Sequence, residues 1–166
     1  MLPGEIKELL KTDEGRDKLY KMHIPTFELV DKYADELEGK DLLDEYQLKD
    51  TQQKLTGAYM KLYIVSDTAD TVKTNAELDF FDREAEKLRE AGKKVTVSDI
   101  TMQARAHSRD LRTIRNTFLR YSVACEKGIV TCQSILKKQT NEKSFKGVDH
   151  TGEAPEEPKP SVEGWD

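Results

Sequence analysis

Leu48, Leu55, Leu62, Ala69 and Ala76 recur at every seventh position, and Tyr59, Val65 and Val72 fall three or four residues from them. That spacing draws one apolar stripe along a helix and cannot serve a strand, whose side chains alternate with period two. A second seam follows the same rule: Leu111, Phe118, Cys125 and Cys132 at one heptad position, Ile114, Tyr121, Gly128 and Ile135 at the other. Between residues 41 and 146 there is no proline, and only Gly57, Gly92 and Gly128 interrupt the run of helix-compatible residues. The pattern predicts an all-α fold. Its centre is a long antiparallel hairpin of helices near 41–90 and 97–140, turning at Gly92, a residue suited to a helix C-terminus.

Past Ala76 the phase of the first seam shifts, and Leu78, Phe81, Ala85 and Leu88 carry it on to Gly92. A kink or a short break would produce this shift. After the turn, Thr96-Val97-Ser98-Asp99 has the spacing of a capping box, with Asp in place of the usual Glu or Gln. Upstream, Pro3 opens a short helix with Ile6, Leu9 and Leu10 on one face. Another is expected to begin near Pro25, with Phe27, Val30, Ala34 and Leu37 inward and Gly39 as its stop. The chain then divides into short N-terminal helices (1–40), the long helical core (41–146) and an acidic tail (147–166). Pro155, Pro158, Pro160 and six acids make that tail read as disordered.

Charge is distributed unevenly. Residues 101–146 carry ten basic and three acidic side chains, residues 147–166 six acids and one lysine, and the chain as a whole a net −5. On a helical projection, Arg105, Arg109, Arg112, Arg120, Lys127 and Lys138 fall opposite the Phe118–Cys125 seam. Arg115 lies at the border, and Lys137 adjoins Lys138. Such a stripe suits a nucleic-acid backbone, because guanidinium groups grip phosphate oxygens at two points. It equally suits an acidic protein surface, including the acidic first hundred residues of this same chain.

Features that would indicate catalysis are missing. No glycine-rich phosphate loop occurs, and His23, His107 and His150 are far apart in sequence without metal-ligand neighbours at useful spacing. Asp67 and Asp70 share a helical face but read as solvated carboxylates. No enzyme activity, cofactor or metal site is expected. Cys125 and Cys132 stand about 10 Å apart along a helix, beyond disulfide reach, which fits a reducing cytoplasm. With no long apolar run and no leader pattern, neither a membrane span nor a signal peptide is expected. The low apolar content predicts homo-oligomers that complete narrow seams between protomers. Tyr63 and Phe80, off the main seam, are available to stack on bases or on a second packing face.

The helix order resembles that of the UvsY-like recombination mediators of tailed phages. The similarity covers roughly residues 20–140. Ile24 to Tyr33 stands for the proline-led first element, Leu55 to Tyr63 for the long Leu/Tyr-rich helix, and Ala104 to Lys138 for the final helix. The resemblance implies a non-enzymatic, oligomeric, single-stranded-DNA-binding protein of phage DNA recombination, acting in the host cytoplasm. Such proteins help load a recombinase onto DNA coated by single-strand-binding protein. The tail, with Glu156, Glu157, Glu163, Trp165 and Asp166, is similar instead to the partner-recruiting ends of single-strand-binding proteins. A structural or assembly protein, such as a virion or scaffolding component binding other subunits, is the reading from a different class.

Overall fold

The structure is a computed structural model that describes residues 1–38 and 43–146, with side chains placed through residue 142. Five helices and no strand occur among the described residues: α1 (Pro3–Leu10), α2 (Asp13–Glu38), α3 (Glu45–Glu90), α4 (Val97–His107) and α5 (Arg109–Lys146). The fold is all-α, as the periodicity predicts. Antiparallel α3 and α5 form its spine. Leu43 O accepts from Gln139 Nε2 at 3.0 Å at one end, and Ser66 Oγ donates to Arg115 O at 3.3 Å further along. α2 lies beside both and runs parallel to α5, so that three helices enclose one core.

Local chemistry sets the helix ends. Asp44 and Gln47 close a reciprocal cap at the start of α3: Gln47 N donates to Asp44 Oδ1 at 2.8 Å, and Asp44 N donates to Gln47 Oε1 at 2.9 Å. At the other end Gly92 takes φ +64°. Lys93 N reaches Leu88 O and Gly92 N reaches Arg89 O, the paired bonds that satisfy the last carbonyls of a helix. The Thr96–Asp99 capping box is not formed. Thr96 stands at the N-cap of α4, but its hydroxyl makes no capping bond there.

Packing overrides three local expectations. α3 is continuous across the phase shift. Up to Ala76 it meets α1 on one side and α5 on the other; beyond that point α1 is past, and only the face toward α4 still needs apolar residues. The second N-terminal helix is not a short one beginning near Pro25. It starts at Asp13, and Pro25 lies inside it. Proline there forfeits a backbone bond at a cost of about 3 kcal/mol. The burial of Leu19, His23, Phe27, Val30 and Tyr33 along the same helix outweighs that loss, with Tyr33 rather than Ala34 on the inner face. α2 ends at Glu38; Gly39 lies outside the described residues. The third difference is the split of the final helix into α4 and α5 at the single residue Ser108.

The seams are filled within one chain. Leu48, Leu55, Leu62 and Ala69 are buried, as are Phe118, Cys125 and Cys132. Phe118 meets His23 and Phe27 edge-on, at ring-centroid distances of 5.1 and 5.2 Å, and Phe27 lies 4.4 Å from Tyr121. Gly128 marks a close crossing. A Cβ there would stand 2.7 Å from Leu55 Cδ1 and 3.6 Å from Leu37 Cδ1. Because the α5 seam closes against α2 and α3, it offers no unfilled groove to a second protomer.

Candidate nucleic-acid interface

α5 buries one face against α3 and α2 and turns the other to solvent. Along that outer face stand Arg109, Arg120, Lys127 and Lys138, with Lys137 beside them and Arg105 on the neighbouring α4, all exposed. From Arg109 to Lys138 the row spans about 44 Å. Arg105, Arg109, Arg120, Lys127 and Lys137 form no ion pair with a described acid; Lys138 makes a loose one with Glu142 at 4.0 Å. The residues between are mostly uncharged: Thr113, Asn116, Val123, Val130, Thr131 and Ser134. Acids on α5 are confined to its flanks and its last turns, at Asp110, Glu126 and Glu142.

Arg112 and Arg115 are placed differently. They turn toward α3, where Arg112 Nη2 bonds Glu77 Oε1 at 2.7 Å and Arg115 Nε lies 3.1 Å from Asp70 Oδ1. Lys73 Nζ shares Asp70 Oδ1 at 2.8 Å, and Ser108 Oγ donates to Glu77. The Ser108 hydroxyl, drawn across to α3, accompanies the break between α4 and α5; short polar side chains weaken a helix when they bond elsewhere. The Lys73 hydrogen bond is the chief cause that holds Asp70 below its ordinary pKa, with help from Arg115 and against a smaller effect of burial. Burial acts most strongly on Glu77 and opposes ionisation. Hydrogen bonds from Ser108 and Arg112 and the charges of Arg112 and Lys73 together outweigh it, leaving the pKa lowered.

The stripe read from sequence is therefore two groups. One is an exposed row open to a ligand. The other, Arg112 and Arg115, neutralises acids of the chain's own first hundred residues while keeping about a third of each side chain exposed. Glu77 was absent from the sequence reading, and Asp70 was read there as solvated. A hairpin turning between Gly92 and Thr96 does set residues 70–77 opposite residues near 110–117, so equal counting from the turn would have found both.

Of the aromatic candidates, Tyr63 is half exposed and stacks on Tyr59 at 5.6 Å, and Phe80 stacks on His107 at 5.0 Å. Both belong to α3 rather than to the helix that carries the basic row. Glu156, Glu157, Glu163, Trp165 and Asp166 lie outside the described residues. Among the described residues no cluster of His, Cys, Asp or Glu could hold a metal ion, and no helix is long and apolar enough to cross a membrane. No family model, no curated protein and no solved structure matches the chain.

Proposed function

We propose that the outer face of α5 binds a single-stranded nucleic-acid backbone, and that the protein is a non-enzymatic accessory factor of DNA recombination. The observation that carries this reading is the exposed row Arg109, Arg120, Lys127 and Lys138, three of them without an acidic partner among the described residues, on one rigid helix. Cations held on a helix without local neutralisation gain most from an external polyanion, through release of its counterions. The more specific role, loading a recombinase onto strands covered by single-strand-binding protein, rests on the UvsY-like helix order. So do the phage source and the host-cytoplasmic setting.

Labelled oligothymidylate, titrated with the protein at several salt concentrations, tests the reading. Four phosphate contacts from the exposed row give a logarithmic salt slope of about −2.8, at about −0.7 per contact. Arg109→Gln with Arg120→Gln should reduce the slope by about 1.4 and weaken binding to all sequences alike. Arg112→Gln should change the slope much less and the folding stability more, because its guanidinium already serves Glu77. No binding at low salt would reject the proposal.

One observation favours the second reading, a structural or assembly protein. Val123 and Val130 stand exposed one heptad apart within the basic row, and apolar side chains at that spacing suit a helical protein partner. An affinity for acidic helical proteins that survives high salt, without affinity for DNA, would establish it.

A further inference from the structure

Two side chains within the basic row of α5 are apolar: Val123 is 39% exposed and Val130 55%. Residues three or four apart are neighbours on a helix surface. Val123 therefore lies between Arg120 and Lys127, and Val130 lies between Lys127 and Ser134 with Lys137 one heptad on. Arg120, Lys127 and Lys137 have no acidic partner among the described residues. The face is a pair of apolar steps bracketed by cations. A phosphate backbone matches the cations alone; the valines call for an apolar group set among the anions.

The chain carries such a group itself, outside the described residues. Residues 147–166 hold six acids against one lysine, and the single tryptophan, Trp165, stands between Glu163 and Asp166. An aromatic ring between acids is the complement of valines between cations. Reach permits the contact within one chain. α5 ends at Lys146, and from there Val130 lies about 24 Å and Val123 about 35 Å back along the helix axis. The chain from Lys146 to Trp165 extends to at most about 63–68 Å, which leaves length enough to reverse direction. A ligand on a tether that spans its site acts at roughly millimolar effective concentration, so weak contacts suffice to seat it. The lysines Lys49, Lys54, Lys73 and Lys87 of α3 offer no equivalent, since each pairs with an acid of that helix.

We infer that residues 147–166 fold back on the outer face of their own α5, with Trp165 seated between Val123 and Val130 beside Lys127 and the acids along the basic row. The indole there meets a cation with its ring face, an additional attraction. The segment occupies the surface that a nucleic-acid backbone needs, so a nucleic acid must displace it. That regulatory consequence rests on the nucleic-acid reading of this face; the docking itself does not.

Acrylamide quenching of Trp165 fluorescence in the full chain, without DNA, tests the inference against a synthetic peptide of residues 147–166. At low salt the quenching constant should be roughly half the peptide's or less, because the tether keeps most chains docked. It should rise to the peptide's value at about 1 M salt, where charges are screened beyond about 3 Å. Arg120→Glu with Lys127→Glu, and separately Val123→Ser with Val130→Ser, should have the same effect at low salt; all four positions are exposed, so circular dichroism should stay unchanged. Added oligothymidylate should also expose the ring, and deleting residues 147–166 should tighten its binding roughly tenfold at low salt, for a millimolar effective concentration acting on a contact of about 0.1 mM. Quenching equal to the peptide's at low salt would overturn the docking while leaving DNA binding untouched. Protection indifferent to both double variants, or protection lost on dilution, would overturn it as well, by placing the ring elsewhere or on a second copy. Protection of Trp165 in a protein that binds no DNA, with or without the tail, would support the docking and reject the nucleic-acid reading.

Discussion

Phe118→Ala removes the side chain at the meeting point of the three long helices. Phe118 is fully buried, with His23 and Phe27 of α2 against its edges and the α3 seam beneath. Truncation forfeits its transfer free energy and leaves a cavity whose walls are aromatic rings fixed by their own packing, so little collapse is available. Core Phe→Ala changes of this kind cost about 3–5 kcal/mol. Each lost edge-to-face contact contributes about 0.5–1.5 kcal/mol of that. A domain of this size has about 5–15 kcal/mol in all, so the variant should fold and unfold at markedly lower urea concentration. Far-ultraviolet circular dichroism is the appropriate probe, because the single tryptophan, Trp165, lies outside the described helices. Val123→Ala, on the exposed side of the same helix, should change stability by less than about 0.5 kcal/mol. A loss below about 1 kcal/mol for Phe118→Ala, or equal losses for the two variants, would refute the packing described here.

Gly15→Ala should destabilise by about 1–3 kcal/mol, since the new Cβ would meet the carbonyl oxygen of Leu9 at 2.2 Å; Gly4→Ala, in open space, should not, and urea midpoints would compare them. Cys125 and Cys132 should resist an aromatic disulfide reagent in the native protein and react on unfolding, since both are buried and burial pushes the Cys125 thiol up to about 11. That raised value contributes stability that is fully present below the ordinary thiol pKa near 9 and lost as pH rises toward 11; Cys125→Ala should flatten this alkaline decline, read from melting temperature against pH. The lowered pKa of Glu77 works in the other direction: its contribution is present above the ordinary carboxylate pKa and lost as pH falls through the lowered one. Glu77→Gln should therefore lower the melting temperature at neutral pH and shrink the difference from wild type in acid; an unchanged difference across that range would remove Glu77 from the acid transition.

Periodicity alone determined that the chain is helical, that α3 and α5 pair along Leu48–Ala69 and Leu111–Cys132, and that the turn falls at Gly92. An apolar stripe of period 3.5 can be buried in few ways, and a left-handed residue ends a helix wherever it stands. Charge counting found the basic row on α5, because residues opposite a buried seam must face outward whatever the seam packs against. Tertiary structure decided the rest. Pro25 sits inside a helix because the burial of Phe27 and its neighbours outweighs a lost backbone bond, a balance that no local propensity contains. The phase shift after Ala76 became an unbroken helix because the packing partners of α3 change along its length, with α4 taking up its last turns. Arg112 and Arg115 left the ligand-facing row because the hairpin brings Glu77 and Asp70 within bonding distance of them. Gly57 and Gly128 are the same residue type in the same kind of helix, and only the neighbouring Leu55 distinguishes a close crossing from an exposed position.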